Sequence, residues 1–452
     1  MQDLAFMTVS KVSDLIQKRE VSPVEITESV LQRIDQYNDH LKSYITVCGE
    51  LARKQAHERE RELSRGCYRG PLHGIPIAHK DVFYTRAVRT TAHSRALDDV
   101  TITEDAQVVV RLEAAGMVML GKTNTNEFAN GGTEHYGTPR LPWDARCFSG
   151  GSSAGSANAV AAGLAPAATG SDTAGSIRAP ASFCGVVGLK ATHGLVPVDG
   201  LIPLSWSMDY AGPLARSVAD IGLLMDAMAP HPKTSNWLLA DCSDLTGMSI
   251  GIPRQHFFEG LDSEVERVVR RALDRLNLLG ADLRSVDLPR AGDLAAASSV
   301  ILAVEAFASH AGRLREKGDL YGTRARRHLS SGAFYSGAEY EQAGQIRTLW
   351  MQELAKAMAD LDLIVTPTVS IPPVPISVEE TRPPDTSWGT RHFNLSGHPA
   401  ISIPCGFTES GHPVGLQMVA HWHDETTLLQ AAMAYERAFP WHEGYLALKE
   451  VI

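Results

Sequence analysis

Between Pro23 and Asp39 the apolar residues Val24, Ile26, Val30, Ile34 and Tyr37 recur at spacings that place them on one helical face, which predicts an amphipathic helix. The charged run from His57 to Arg65 fits the solvated side of another. After these N-terminal helices (1–65) the texture changes: from Gly70 to about Met225, short apolar runs of β type alternate with Gly, Ser and Asn, as in a sheet with functional loops. Met248 to Pro253 and Leu283 to Leu288 read as strands flanking a helix, Asp262 to Leu279, that ends at Gly280. Ala291 to Met358 is helix-rich, with Leu302, Val304, Phe307 and Leu314 apolar among charged neighbours. Strand character resumes at Leu361 to Thr366. It yields to a proline-rich stretch, Ile371 to Pro384, that reads as a surface loop near a domain edge. Strands at Ala400 to Pro404 and Val414 to Val419 precede a last helix, Glu425 to Phe439. No internal repeat is visible. The alternation predicts one α/β domain over residues 1–452, a large mixed β-sheet with helices on both faces. Its parts are a core over 66–230, a helical insertion over 290–358, and a return to the core sheet and a C-terminal helix over 360–452.

Composition narrows the class. At 452 residues, 44% hydrophobic and 21% charged, the chain is too apolar for a disordered protein and lacks the bias of collagen or a coiled coil. The formal charge is −10 and the Lys and Arg residues are dispersed, so no basic stripe exists for a phosphate backbone and no nucleic-acid partner is expected. Cys48, Cys67, Cys147, Cys184, Cys242 and Cys405 lie far apart without a C-x-x-C pair, which favours reduced thiols and a cytoplasmic location. The N-terminus carries Asp3 and lacks the pattern of a signal peptide. Ala157 to Gly170, the longest weakly polar stretch, is too short to span a bilayer, so no membrane partner is expected.

Two short patterns fire. Gly116 to Thr123 fits G-x-x-x-x-G-K-[ST], the nucleotide-binding loop, but that loop must follow a strand and open a helix. Here Asp105 to Ala115 has helical periodicity, Gly116 sits like a helix C-cap, and Met117 to Leu120 is the strand itself. Gly151-Ser-Ser153-Ala-Gly155 fits the nucleophile elbow of an α/β-hydrolase with Ser153 as nucleophile, yet Asp144 to Ser149 before it is a poor strand.

The match lies inside a longer tract, SGGSSAGSANAVAAGLAPAATGSDTAGS from Ser149 to Ser176: two Gly/Ser loops joined by an Ala-rich segment that suits a buried helix and a strand. Such loops can converge N–H groups on a negative oxygen and bring hydroxyls within reach of each other. The same composition fits a tightly packed helix with ordinary turns.

With the following Ile177-Arg178-Ala-Pro180 and Phe183 to Lys190, the tract resembles the amidase signature family of serine amidohydrolases. Further blocks resemble that family in order: Pro71 to Asp81, Gly121 to Phe128, Tyr136 to Arg140, Gly397 to Gly406 and Pro413 to Gln417. Together they cover most of the chain outside roughly 230 to 360. The resemblance implies the amidase-signature fold and a Ser-Ser-Lys triad. Ser176 is the implied nucleophile; Ser152, 24 residues earlier and associated in the family with a cis peptide, is the bridging serine; Lys80 is the base. It further implies an oxyanion hole from the backbone N–H groups of Thr173, Ala174, Gly175 and Ser176. The family usually has glycine at position 174, and alanine there narrows the backbone angles while still supplying an N–H.

The residues support that chemistry on their own terms. A serine hydroxyl is a weak nucleophile until a base removes its proton, and no histidine–carboxylate pair is evident. A lysine serves if it is neutral, and burial among Ile75, Pro76 and Ile77 would lower its pKa from about 10.4 toward the operating pH. Asp81 opposes this only if it faces the lysine, and adjacent strand residues point to opposite faces. Ser171, Asp172 and Arg178 read as loop buttresses, Arg178 alternatively as a contact for an anionic substrate group. Gly131, Gly132 and Thr133 match a family segment lining the substrate site; a plain turn is the other reading. His79 reads as packing, and His421 and His423 as strand neighbours without a third metal ligand.

The expected activity is hydrolysis of a linear carboxylic amide, or a related anilide or urea-type bond, without metal or organic cofactor. A small-molecule amide is the expected partner, and a homodimer is allowed for. The glutaminase component of a tRNA-dependent amidotransferase is the alternative within the resemblance. Gly131 to Gly137 looks more like stand-alone amidases.

Overall fold

The computed structural model describes residues 4–230 and 244–441; Asp3 and Cys242 lie outside them. The chain opens with α1 (Val9–Gln17), α2 (Pro23–Leu41), β1 (Tyr44–Val47) and α3 (Gly49–Ser64). Helix α2 starts at a capping box, Ser22 and Glu25 satisfying each other's backbone N–H groups with Pro23 in the first turn. Its Ile26, Val30 and Ile34 are buried, while Val24 and Tyr37 are half-buried. The charged run on α3 is solvated except at Arg59, which is buried against Glu62.

Next come β2 (Pro76–Lys80), α4 (Gln107–Ala114), β3 (Val118–Thr123), β4 (Arg140–Leu141), β5 (Asp144–Phe148), α5 (Ala154–Ala161) and β6 (Ala167–Ser171). They lead to α6 (Arg178–Cys184), β7 (Val187–Lys190), β8 (Ala211–Ala215) and α7 (Val218–Met228). A second half follows with β9 (Ser249–Pro253), α8 (Ser263–Leu278) and β10 (Asp282–Val286). Then come α9 (Leu294–Lys317), α10 (Thr323–Ser331), α11 (Gly337–Ala357), β11 (Leu363–Pro367), α12 (Ile376–Thr381) and α13 (Arg391–Ser396). The last described elements are β12 (Ala400–Phe407), β13 (Pro413–Ala420) and α14 (Glu425–Ala438).

Eleven strands form one mixed sheet in the order β1-β3-β2-β6-β8-β7-β12-β13-β11-β9-β10. β2 lies parallel between β3 and β6, with Ile77 opposite Ala167 and Ala78 opposite Ala168. All five residues of β2 and all five of β6 are buried, as expected for parallel strands covered on both faces. This register sets the C-terminal ends of the two strands, Lys80 and Ser171, side by side. In open α/β sheets, ligand sites form just beyond such ends.

Two expectations need correction. Asp144 to Phe148 is not a poor strand: it forms β5, paired with β4 in a separate two-stranded ribbon. Its end is fixed by the Phe148 N–H donating to Val374 O (2.9 Å). Ile371 to Pro384 is not a plain surface loop. It contains α12, whose Glu379 is buried against Arg324 of α10 (2.8 Å).

Helices α9, α10 and α11 pack on one another. The buried face of α9 is Ala297, Ile301, Glu305, Ala306 and His310, whereas Leu302, Val304, Phe307 and Leu314 are only half-buried. Polar residues on the buried face find polar partners: Glu305 accepts from Ser205 Oγ (2.6 Å) and Tyr340 OH (2.8 Å), and His310 Nε2 meets Pro203 O (3.1 Å). The segment Ala291–Leu320 is long and apolar enough to cross a membrane by length and composition; here it belongs to this helical layer.

Candidate active site

Lys80 ends β2 with its side chain wholly buried, its backbone N–H donating to Thr169 Oγ1 (3.2 Å) on β6. Its Nζ lies 2.8 Å from Ser152 Oγ, 2.8 Å from Ser171 Oγ and 3.5 Å from Ser171 O. Burial pulls its pKa down to about 7, against the smaller opposing pull of Asp172 and Asp209. Asp81 does not enter this balance. It turns to Thr91 and to Lys122, 3.3 Å away, in a separate buried ion pair.

Ser152 follows a cis Gly151-Ser152 peptide, and its carbonyl accepts from Thr125 Oγ1 (2.8 Å). Ser176 lies on the loop between β6 and α6, half-buried, its hydroxyl without a partner among the described residues. Its carbonyl accepts the Ser153 N–H (3.1 Å), which ties the two Gly/Ser loops together. Ser152 and Ser176 border the same cleft.

The 172–178 loop is built around Asp172. Its carboxylate accepts the N–H groups of Gly175 (2.7 Å) and Ile177 (3.2 Å), two bonds from Arg178 (3.0 Å each), and one from Asn394 Nδ2 (2.8 Å). Burial opposes ionisation of Asp172, but the Arg178 charge outweighs it and holds the carboxyl well below its usual range. Gly175 therefore leaves the expected set of oxyanion donors, because its N–H is already engaged. Those of Thr173, Ala174 and Ser176 have no partner among the described residues. Gly175 has φ +131°, and a Cβ there would sit 2.0 Å from Thr390 Oγ1, so only glycine fits. Thr390 Oγ1 in turn donates to Ala174 O (2.6 Å).

Arg178 has no exposed side-chain surface; beyond Asp172 it donates to Thr390 O (3.0 Å), Gln417 Oε1 (2.7 Å) and Asn394 Oδ1 (2.6 Å). It buttresses the loop and cannot reach a substrate. Breaking a buried pair by removing one partner typically costs about 3–5 kcal/mol, because the other charge is left uncompensated. Arg178→Ala is expected to destabilise the fold by that amount, measured as a loss in the free energy of urea unfolding.

Asp209 gave no signal in the sequence. It is buried and accepts from Thr173 Oγ1 (2.6 Å), the Leu204 N–H (2.8 Å) and the Ser205 N–H (3.0 Å). Burial pushes its carboxyl up to about 6.

The cleft has a volume of about 430 Å³. Its floor is Ser152 and residues 173–176, and its walls include Leu302, His328 and Tyr335 from the helical layer and Arg391 from α13. Gly131 borders it, whereas Gly132 and Thr133 border a neighbouring pocket that shares Arg324 and Glu379.

The remaining candidates take structural places. Ser153 is buried and donates to Ser171 O (3.1 Å), so its hydroxyl does not border the cleft. Gly116 closes α4, Gly121 lies within β3 as anticipated, and Lys122 Nζ donates to Phe83 O (2.7 Å) and Thr90 Oγ1 (2.6 Å), leaving no phosphate loop. His79 is buried beside Thr169, where desolvation pulls it down to about 3. His421 and His423 are not strand neighbours. They lie in the turn after β13, where His421 Nε2 meets Leu361 O (2.8 Å).

This sheet, with a lysine buried against two serine hydroxyls at its strand ends, frames an enzyme that acts on amide C–N bonds. The chain belongs to the amidase family, whose model matches residues 25–429. It is 37% identical to the GatA-type component of the glutamyl-tRNA(Gln) amidotransferase of Thioalkalivibrio sulfidiphilus, over 96% of this chain and 98% of that protein. Among solved structures it is similar to an amidase (31% identity, TM-score 0.88, 96% of this chain and 100% of that one). It is also similar to the peptide amidase of Stenotrophomonas maltophilia (31%, TM-score 0.84, 96% of each chain). The leaning toward stand-alone amidases thus finds parallels among the structures, while the sequence relatives include amidotransferase components.

Proposed function

We propose that this chain is a serine amidohydrolase that cleaves a linear carboxylic amide through an acyl-enzyme, with Ser176 as nucleophile, Ser152 as bridge and Lys80 as base. One observation carries the reading: a buried lysine 2.8 Å from Ser152 Oγ, below a cleft that Ser152 and Ser176 share. A neutral Lys80 has one lone pair, which accepts the Ser152 hydroxyl proton, and two N–H bonds, which satisfy Ser171 Oγ and O. Ser152 then takes the proton of Ser176 as Ser176 Oγ bonds to the amide carbon. Catalytic hydrogen bonds commonly tighten only with substrate in place, and the unpartnered Ser176 hydroxyl is free to rotate toward Ser152. The N–H groups of Thr173, Ala174 and Ser176 receive the oxyanion, each worth about 3 kcal/mol in comparable sites. Collapse breaks the C–N bond, the relay returns the proton to the leaving amine, and water releases the acid by the same route.

Asp209 holds Thr173 in place and adds negative charge near Lys80. Asp209→Asn is expected to lower kcat/KM by about ten- to a hundred-fold through a misplaced oxyanion loop. Because the Asp209 charge raises the Lys80 pKa, its removal is expected to move the acid limb of the pH profile to lower pH. The pH dependence of kcat/KM for both proteins checks this.

The test of the reaction is a panel of aliphatic amides, anilides, ureas and glutamine, with amine or ammonia release measured and the acylated residue located by mass spectrometry. Hydrolysis with an adduct on Ser176 is expected; an adduct elsewhere overturns the assignment. The amidotransferase relatives favour a second reading, a glutaminase that passes ammonia to partner proteins. Co-purification of such partners with glutaminase activity identifies it.

A further inference from the structure

Arg391 opens α13 on the cleft wall, next to Thr390, which braces the oxyanion loop. Its side chain is only 8% exposed. Nε donates to Ser387 O (3.1 Å), and Nη2 donates to Ser387 Oγ (2.5 Å) and to Asp385, so the plane of the guanidinium is fixed. Nη1 has no partner among the described residues.

The other charges bordering the cleft are committed. Arg324 is held by the Glu379 carboxylate (2.8 Å) and main-chain oxygen (2.5 Å), which occupies Glu379 as well. Burial pulls His328 below its usual value, and its Nδ1 meets Asn130 O (2.9 Å), so the ring is neutral at pH 7. Asp385, the counter-charge of Arg391, is 54% exposed and shared with the Ser387 N–H and hydroxyl. Water screens that carboxylate far better than anything deep in the cleft is screened.

We propose that the cleft selects amides bearing a carboxylate, as in the half-amides of short dicarboxylic acids, by docking that carboxylate on Arg391 Nη1. The proposal rests on the amide-hydrolysis reading above and adds its substrate class. A pre-oriented guanidinium with one vacant donor edge suits a charge-assisted bond to an oxyanion. A neutral amide of the same shape leaves that donor desolvated and unpaired, which is how a polar site rejects an isostere. The sequence offers Arg178 for an anionic group; its enclosure moves the role to Arg391.

The experiment compares kcat/KM of the full chain for succinamate, its neutral isostere valeramide and the cationic 4-aminobutyramide. Succinamate is expected to exceed valeramide by about ten-fold or more, with the cation last. Arg391→Gln is expected to bring the succinamate-to-valeramide ratio close to unity, chiefly through KM, and Arg391→Lys to restore part of it. A wild-type preference for the neutral or cationic amide overturns the proposal without any variant, as does a ratio that Arg391→Gln leaves unchanged. Absence of hydrolysis across every amide, or an adduct away from Ser176, instead overturns the underlying reaction.

Discussion

Ser176→Ala is expected to lower kcat by about four orders of magnitude or more and to abolish the acyl adduct. Residues of a nucleophilic relay act as a unit, so removing the nucleophile leaves only what binding and the oxyanion donors contribute. Ser152→Ala is expected to lie close to it, because the proton path from Ser176 to Lys80 runs through that hydroxyl. Stability separates chemistry from folding here. The Ser176 hydroxyl has no partner among the described residues, so its loss is expected to change unfolding free energy by less than about 0.5 kcal/mol. Steady-state kinetics, intact-protein mass spectrometry and a urea titration on the same preparation check the three parts. A Ser176→Ala protein that still turns over substrate at a tenth of the wild-type rate would falsify the assignment.

The second large effect belongs to Lys80. Burial brings its pKa to about 7, and the neutral amine is the working form, so kcat/KM is expected to fall about ten-fold per pH unit below that value and to level off above it. Lys80→Met is expected to cost about 10²–10⁴ in kcat/KM and to erase this limb. The same substitution is expected to raise stability. Between pH 7 and 10.5 the unfolded chain holds a proton on Lys80 that the folded chain has lost, so the stability of the wild type climbs with pH over that window. Below pH 7 the lysine penalty is at its fullest, and methionine removes it. A higher Tm at pH 6 in the inactive protein, narrowing toward pH 10, is the expected pattern; a lower Tm would show that the Ser152 and Ser171 contacts outweigh the burial of the amine.

Much of this is legible in the chain. Apolar runs locate nearly every strand of the sheet, and the Gly/Ser tract with Lys80 singles out the three side chains that the proposed relay uses. What escapes is long-range. Nothing near Asp209 announces that it cradles Thr173, because its partners come from Thr173 and from a turn five residues upstream. Arg178 is readable as a functional cation but not as a sealed one, since its enclosure depends on Thr390, Asn394 and Gln417, more than 200 residues away. Proline content marks 371–384 as loop, yet Glu379 finds its arginine on α10 and the segment becomes a wall. The Gly175 N–H is lost to the oxyanion set for a local reason: a carboxylate three residues earlier folds back on it, a turn geometry that spacing alone does not reveal.

The floor and the sides of the cleft answer to different parts of the chain. Lys80, Ser152 and Ser171 are anchored in the sheet and its adjoining loops, while Leu302, His328 and Tyr335 arrive from a separate layer of helices. Those three wall positions can therefore be varied together in a directed-evolution library, retuning which molecules enter while the bond-breaking apparatus beneath stays as it is.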